Sequence, residues 1–428
     1  MIEIAKGREA IERALDRLKC RAQMSDEAQR QTVLNILKDV REEGDSAVSR
    51  YTEKFDGAVL RADEFRVSQE EMDSAMRAIS PQLLDVLKKS AENIRRFHEM
   101  QKQKTWLDIQ PHAMLGQMVQ PIQNVGVYVP GGRAAYPSTV LMNVIPAHVA
   151  GVERIVMVTP PNADGKIDYV RLAAAKLAGA TEIYKMGGAQ SIGALAYGTQ
   201  TIRAVDKITG PGNIYVALAK REVFGVVGID MMAGPSEILI IADGDANPRY
   251  IAADMLAQAE HDPLAAAICV TNSEQVAEQI QEELEKQTTV LSRKEIIRQS
   301  LEQYGTIAVT GSLEEAFDMA NAIAPEHLEV LVKEPLSWLG HVRNAGAIFL
   351  GEYTPEAYGD YLAGPNHTLP TNGTARFASP LSVDDFIKKS SILNFSKEQL
   401  QANYRDIAAF ANAEGLEAHA KSAEIRFE

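Results

Sequence analysis

At roughly one domain per 150 residues, a chain of 428 residues predicts two or three domains, each long enough to bury a core. Its proportions, 46% hydrophobic and 24% charged, exclude wholesale disorder and fibrous architecture. With 58 acidic side chains against 44 basic ones, a formal charge of −14, the chain repels polyanions on average, which excludes nucleic acid as the expected partner but not a local pocket for a small phosphorylated molecule. The opening MIEIAKGREAIERALDRLKC carries a charge every few residues, where a signal peptide needs an apolar stretch of roughly 7–15. No apolar run approaches the roughly 18 residues of a membrane span. Two cysteines, Cys20 and Cys269, are too few for a disulfide framework or a CxxC zinc site, and a reducing cytoplasm is the expected compartment.

Up to about residue 120, apolar residues fall at helical spacing in IERALDRLK (11–19) and PQLLDVLKKSAENIRRFHEM (81–100), predicting a helical N-terminal section over 1–120. From Val125 the pattern changes to short apolar runs ended by Gly or Pro, each followed by an Ala-rich amphipathic stretch. The runs VGVYV (125–129), RIVMVT (154–159), EIYKM (182–186) and VDKIT (205–209) read as the strands of a parallel sheet in a first α/β domain, 121–235. After Gly234-Pro235-Ser236 the pattern restarts with EILIIA (237–242), AAICVT (266–271), TIAVT (306–310), LEVLV (328–332) and AIFL (347–350), a second α/β domain over 236–382. Its irregular end, 351–383, is long enough to predict a functional stretch. Helical spacing returns from Phe395, and 383–428 is expected to be a small helical unit serving subunit contacts. The fold class is therefore α/β, with two tandem Rossmann-like parallel-sheet domains flanked by helical sections.

Signatures of P-loop nucleotidases, HExxH proteases and GxSxG hydrolases are absent. The dinucleotide fingerprint GxGxxG also fails, because Gly210-Pro211-Gly212-Asn213-Ile214-Tyr215 puts Tyr where the third Gly belongs. Three strand-end loops, PGG (130–132), GGAQ (187–190) and GPGN (210–213), can still offer backbone N–H groups to phosphate, although each is also an ordinary tight turn. Asn247 as N-cap and Pro248 at the first helical position predict a helix over 247–261. Its stripe Ile251, Met255 continues to Gln258 and His261 on the inward face. Leaving that amide and imidazole unpaired costs about 1–3 kcal/mol each, so a hydrogen-bond network, a substrate or a metal should receive them. Asp254 competes as a ligand on the same line, and a satisfied imidazole near a helix end is the commoner use of such a pair.

Near the C-terminus, His419 sits beside the stripe Leu416, Ala420, Ala423, as a packed histidine or a ligand, with Glu414 opening the segment. Asp360 lies in the irregular stretch, a turn carboxylate or a site residue. Ser236 precedes the first strand of the second domain, in sequence that also suits a plain turn. Glu326 and His327 set a carboxylate beside an imidazole, which is a base pair for catalysis only if a turn aims both at one cleft.

Together, VYVPGGRAAYPST (127–139), GGAQSIGALAYGT (187–199), ITGPGNIYV (208–216), AGPSEILIIAD (233–243), MLAQAEHD (255–262), APEHLE (324–329) and AYGDYLAGPNHTLPT (357–371) resemble the histidinol dehydrogenase family, from about residue 10 onward. The resemblance implies a dimeric enzyme with one Zn2+ per subunit, which takes L-histidinol through L-histidinal to L-histidine and consumes two NAD+ per turnover, the last two steps of histidine biosynthesis. It implies Gln258, His261, Asp360 and His419 as metal ligands and Glu326 and His327 as the acid–base pair. Ser236, Gln258, His261, His327, Asp360, Glu414 and His419 match its substrate contacts, and Tyr128, Gln190 and Asn213 its NAD contacts. In the family the C-terminal segment completes the partner's site, so Glu414 and His419 are expected to act in trans.

The residues allow the chemistry to be followed apart from the resemblance. Removing hydride from an alcohol requires a base for the hydroxyl proton, and an imidazole titrating near pH 7, His327, suits it. The aldehyde needs either a cysteine thiohemiacetal or a hydrate made by activated water. Cys20 falls in a charged helix and Cys269 in an apolar strand that silences its thiolate, leaving Glu326 as the activator of water. Zinc would orient the substrate's imidazole and amino nitrogens. The competing readings are a related NAD-dependent dehydrogenase of another amino alcohol or a sulfonated diol, and a non-redox zinc hydrolase.

Overall fold

The runs RIVMVT, EILIIA and AAICVT are buried at every position, and a strand buried on both faces requires a layer of helices above and below it. Two parallel sheets satisfy that demand. The computed structural model describes residues 2–7, 12, 16–17, 27–131, 135–232 and 234–428. Cys20, most of the stretch 11–19, and Gly132 of the first phosphate-competent loop lie outside the described residues. The strands are β1 (Glu3–Lys6), β2 (Trp106–Gln110), β3 (Ala113–Pro121), β4 (Asn124–Tyr128), β5 (Arg154–Thr159), β6 (Glu182–Lys185) and β7 (Lys207–Thr209), then β8 (Gly228–Ile229), β9 (Glu237–Ala242), β10 (Ala266–Thr271), β11 (Thr306–Val309), β12 (His327–Leu331), β13 (Ala347–Leu350) and β14 (Ile387–Phe395).

The chain divides into two compact units. One comprises Met1–Gln101 and Gln123–Phe386, the other Lys102–Ile122 and Ile387–Glu428. In the first, the sheets run β6-β5-β4-β7-β8 and β1-β11-β10-β9-β12-β13, with every pairing parallel. Counted from β4 and from β9, both follow the order 3-2-1-4-5, so one topology occurs twice without a repeating sequence. Alternation along β9 divides the second core: Ile238 and Ile240 face the helices Pro248–Ala259 and Glu274–Thr288, while Leu239 and Ile241 face the helix Leu313–Ile323. The N-terminal helix Glu27–Glu43 buries Val33, Ile36, Leu37 and Val40 in one cluster with Ile192 and Leu195 of the helix Gly188–Tyr197, extending the core of the first sheet.

Two parts of the helical reading are corrected. Residues 3–6 form β1, which pairs with β11 across 303 positions (Glu3 with Thr306); so short a run ahead of a helix-like stretch gives no local sign of a partner that far along the chain. The second unit, meanwhile, is built on an antiparallel sheet, β14-β3-β2, so neither residues 102–122 nor residues 387–395 of the expected helical C-terminal unit are helical. All of β2 and most of β14 are exposed, which removes the apolar run that marks a buried strand. The helices Lys397–Ala413 and Glu417–Glu424 follow β14 as expected. Among the described residues no helix is long and apolar enough to cross a membrane.

The helix Pro248–Ala259 begins as its sequence dictates, with Asn247 Oδ1 accepting the Arg249 N–H at 3.0 Å. Asn247→Ala should cost about 1 kcal/mol through the lost cap, read as a lower urea midpoint at unchanged slope.

Candidate active site

The second sheet places its functional residues at the edge where its strands begin. Ser236 and Glu237 enter β9, Glu326 and His327 enter the adjacent β12, and His327 registers with Ile238. The helix after β9 returns antiparallel and delivers Gln258 to the same edge. Open α/β sheets ordinarily bind ligands at the opposite, carboxyl edge. The helix stops at Ala259, so Gln258 is buried on the expected stripe, whereas His261 lies beyond the helix end and is exposed as a residue.

A short helical segment, Glu356–Tyr358, leads into a wide turn, Gly359–Ala363, that presents Asp360. This turn is held from two sides. Glu329, fully buried on β12, accepts the Glu356 N–H at 2.8 Å. From the helix Pro81–Glu99, Ser90 Oγ donates to the Tyr361 carbonyl (2.6 Å) and Asn93 Nδ2 to the Leu362 carbonyl (2.8 Å). Gly364 ends the turn at φ 110°, where a Cβ would lie 2.7 Å from the Asn93 carbonyl oxygen, so only glycine fits.

His261, Glu356 and Asp360 each bring one ligand atom within 4.8 Å of the others. One terminal atom of the Gln258 amide lies 2.6 and 3.0 Å from the two Glu356 oxygens, and the other 2.8 Å from the Glu237 N–H. Without a cation the first must be the NH2 group, donating to Glu356 while the oxygen accepts from Glu237. An amide oxygen in that place would face the carboxylate across a shared positive ion.

His327 is buried. Its Nδ1 lies 3.1 Å from the Glu237 carbonyl, which fixes the proton on Nδ1 and leaves Nε2 as an unprotonated acceptor, 3.7 Å from Glu356 and without a hydrogen bond. Burial pushes this imidazole down to about 4 against the opposing pull of Asp360, well below the value near 7 expected from its type alone. It is consequently neutral throughout the physiological range. Glu326 Oε2 accepts the Glu237 N–H at 2.9 Å and stands 3.8 Å from His327 Nδ1. Burial raises the Cys269 thiol far above its ordinary value, consistent with a silent cysteine.

Tyr128, Gln190 and Asn213, the residues matched to NAD contacts, lie at the carboxyl edge of the first sheet. Tyr128 ends β4, its phenol pushed up to about 12 by burial, and its hydroxyl lies 3.4 Å from the Gly188 N–H. Gln190 is wholly buried with both amide atoms unpartnered. Asn213 spends Oδ1 as the N-cap of the helix Ile214–Val223, accepting from Tyr215 and Val216, so only its NH2 group is available to a ligand.

Glu414 and His419 belong to the second unit. Glu414 closes the helix Lys397–Ala413, and His419 lies in the helix Glu417–Glu424. Both are exposed, so His419 is not the packed histidine that its stripe allowed. Sequence reasoning missed Glu356, Glu329 and Glu237, and it named His367, 3.7 Å from Asp360, only as part of a loop motif. Glu329 did leave a signal, a carboxylate two residues after His327 inside a fully buried strand. Glu356 left none, since a single acid before a turn has no pattern.

The family model described as histidinol dehydrogenase matches residues 19–427. Histidinol dehydrogenase of Geobacillus kaustophilus is 56% identical over 94% of this chain and 95% of its own length. That of Bacillus subtilis is 56% identical over 94% and 93%. The crystal structure of histidinol dehydrogenase from Elizabethkingia anophelis superposes with a TM-score of 0.88 at 41% identity, covering 92% of this chain and 91% of that one.

The acidic cluster fits a divalent cation on its own chemistry. Glu356 is driven well above the ordinary carboxylate value by burial and then by Asp360, Glu326, Glu329 and Asp254, all acidic. Burial and Asp254 raise Glu329 likewise, and burial lifts Asp254 to about 6. Asp360 alone falls below its usual value, because His367, His327 and His261 outweigh its burial. Carboxyls raised in the folded state stabilise it below their unfolded pKa and lose that contribution as pH rises. The opposing term from His327, depressed from 6.5, ends once the unfolded imidazole is neutral. Metal-free protein should therefore melt progressively lower as pH rises from about 6.5, the reference value of the unfolded imidazole, into the alkaline range, Glu356→Gln should flatten that slope, and added zinc should restore more stability at the upper end. Calorimetry with and without chelator checks this; a melting temperature constant over that range would contradict it.

Proposed function

The chain belongs to the histidinol dehydrogenase family, and from that membership we infer that it is the NAD-dependent oxidoreductase that takes L-histidinol to L-histidine in histidine biosynthesis. We propose further that the reaction passes through L-histidinal, with both oxidations at one site and one Zn2+ per subunit. The observation that carries this reading is the convergence of His261, Glu356 and Asp360 within 4.8 Å beside the neutral imidazole of His327.

In this reading Gln258, His261 and Asp360, with His419 of a second copy, hold zinc, and Glu356 joins them as a ligand or as the partner that orients Gln258. Bound zinc would supply a fixed anchor for the substrate's imidazole and amino nitrogens. Tyr128, Gln190 and Asn213 hold NAD+, which supplies the hydride acceptor for each oxidation. His327 Nε2 takes the hydroxyl proton of the alcohol, its orientation set by the Glu237 carbonyl. Glu326 draws a proton from water to hydrate the aldehyde, since a buried Cys269 with a raised thiol is no nucleophile. Ser236 and Glu414 complete the substrate contacts.

A homodimer belongs to the same proposal. Support comes from the second unit, where Ile407, Phe410 and Leu416 are exposed near Glu414 and His419, with Phe410 71% exposed. The proposed compartment is the cytoplasm.

The test is anaerobic turnover of histidinol with NAD+, counting NADH per histidine. Two are expected, since alcohol to acid releases two hydrides. His327→Asn and Glu326→Gln should each lower turnover about 10²–10⁴-fold with zinc retained, whereas His261→Asn should lose zinc and histidinol binding together. Stoichiometric zinc in His261→Asn would remove that ligand from the proposal.

A further inference from the structure

We propose that the buried ion pair Lys220–Asp230 is a clamp on Gly210 that sets the GPGN loop for the diphosphate of the dinucleotide cofactor. The pair positions a binding loop and is not primarily a source of stability. This inference rests on the proposed NAD+ site.

The two side chains are 3% and 0% exposed, the most deeply buried ion pair among those of the described residues. Lys220 comes from the helix Ile214–Val223, and Asp230 from the chain just after β8. Lys220 Nζ donates to Asp230 Oδ1 and, at 3.0 Å, to the Gly210 carbonyl, while Asp230 Oδ2 accepts the Gly210 N–H at 2.8 Å. Both polar groups of one residue are thus held by the two ends of a single ion pair. Taking two charges out of water opposes folding about as strongly as their attraction favours it, so such a pair is weak evidence of stability, and its hold on both polar groups of Gly210 is what marks this one as a positioning device.

The geometry fixed here is exacting. Gly210 sits at φ 109°, and a Cβ on it would lie 2.1 Å from the Tyr128 carbonyl oxygen, so the loop is pressed against the end of β4. Two residues on, a Cβ at Gly212 would come within 3.1 Å of the Tyr128 ring. The same phenol reaches the Gly188 N–H, two residues before Gln190, whose buried amide has no partner and awaits a polar ligand. The clamp therefore governs the spacing of the GPGN loop from Tyr128, and through Tyr128 from the GGAQ loop. A diphosphate requires backbone N–H groups at a fixed separation, and a loop free to shift would lose that register first.

The test compares wild-type enzyme with the double variant Lys220→Met/Asp230→Leu, which removes both charges and strands neither. The expected result is a folded, zinc-loaded enzyme with a melting temperature near wild type, histidinol affinity within twofold by calorimetry, and a KM for NAD+ raised at least tenfold. An unchanged KM for NAD+, or zinc, histidinol and NAD+ binding all weakened alike, would overturn the clamp. Asn213→Ala is measured in parallel. If it raises the KM for NAD+ while the double variant does not, the clamp fails and the loop's role stands. If neither variant moves that KM, the reading of the loop fails and the clamp falls with it.

Discussion

The crowding of carboxylates at the leading edge of the second sheet is the constraint on which the site depends. After burial, the strongest influences on Glu356 are Asp360, Glu326, Glu329 and Asp254. A fold that gathers so many like charges away from water is stabilised only by protonation or by a cation. Protonation suffices for the metal-free chain, in which Gln258 turns its NH2 toward Glu356. A divalent ion, held as proposed, would reverse that arrangement, displacing protons from the carboxyls and favouring the amide oxygen on the Glu356 side. A metal bound there would be part of the electrostatics of the fold, its affinity linked to the stability of the edge.

Such a cluster performs chemistry only if its members keep their places, and the anchors come from distant stretches of chain. Ser90 and Asn93 lie some 270 residues before the carbonyls they hold, and Glu329 ties the same turn to β12. Each hydrogen bond contributes about 1 kcal/mol net. That is small against the whole fold but sufficient to decide the direction of one turn. The helix Pro81–Glu99 thus acts on the site by holding backbone, with no side chain among the proposed ligands.

How much could be read beforehand follows from burial. Strands such as RIVMVT and EILIIA were legible to the residue because a strand covered on both faces has no choice of residue type. By contrast, β2 and β14 are defined by partners far along the chain, and their exposed faces tolerate WLDIQ and IKKSSILNF alike. Gln258 could be found because an amide on an apolar helical stripe violates a pattern. Glu356 violated none, and its importance arises from four other acids that meet it only after folding. The value near 4 for His327 was illegible for the same reason, since burial is a property of the folded chain.

The repeated topology gives the two sheets equivalent frames, and the candidate residues lie at opposite edges of them. At its carboxyl edge the first sheet offers loops, glycines and a helix N-terminus, contacts through backbone that suit a phosphate carrier able to come and go. At its amino edge the second offers buried side chains locked by one another, which suit an ion and a substrate held throughout. In the proposed reaction that division is required. The aldehyde must stay while reduced cofactor leaves and oxidised cofactor replaces it, so the grip on the substrate has to outlast the grip on the dinucleotide. A deeply buried charged cluster dissociates slowly because each departing ion leaves unpaired charge behind, whereas exposed backbone donors exchange a phosphate for water at little cost. The unequal burial of the two edges, His327 and Glu356 enclosed and Asn213 exposed, is what the proposed reaction would need for such a difference in residence time.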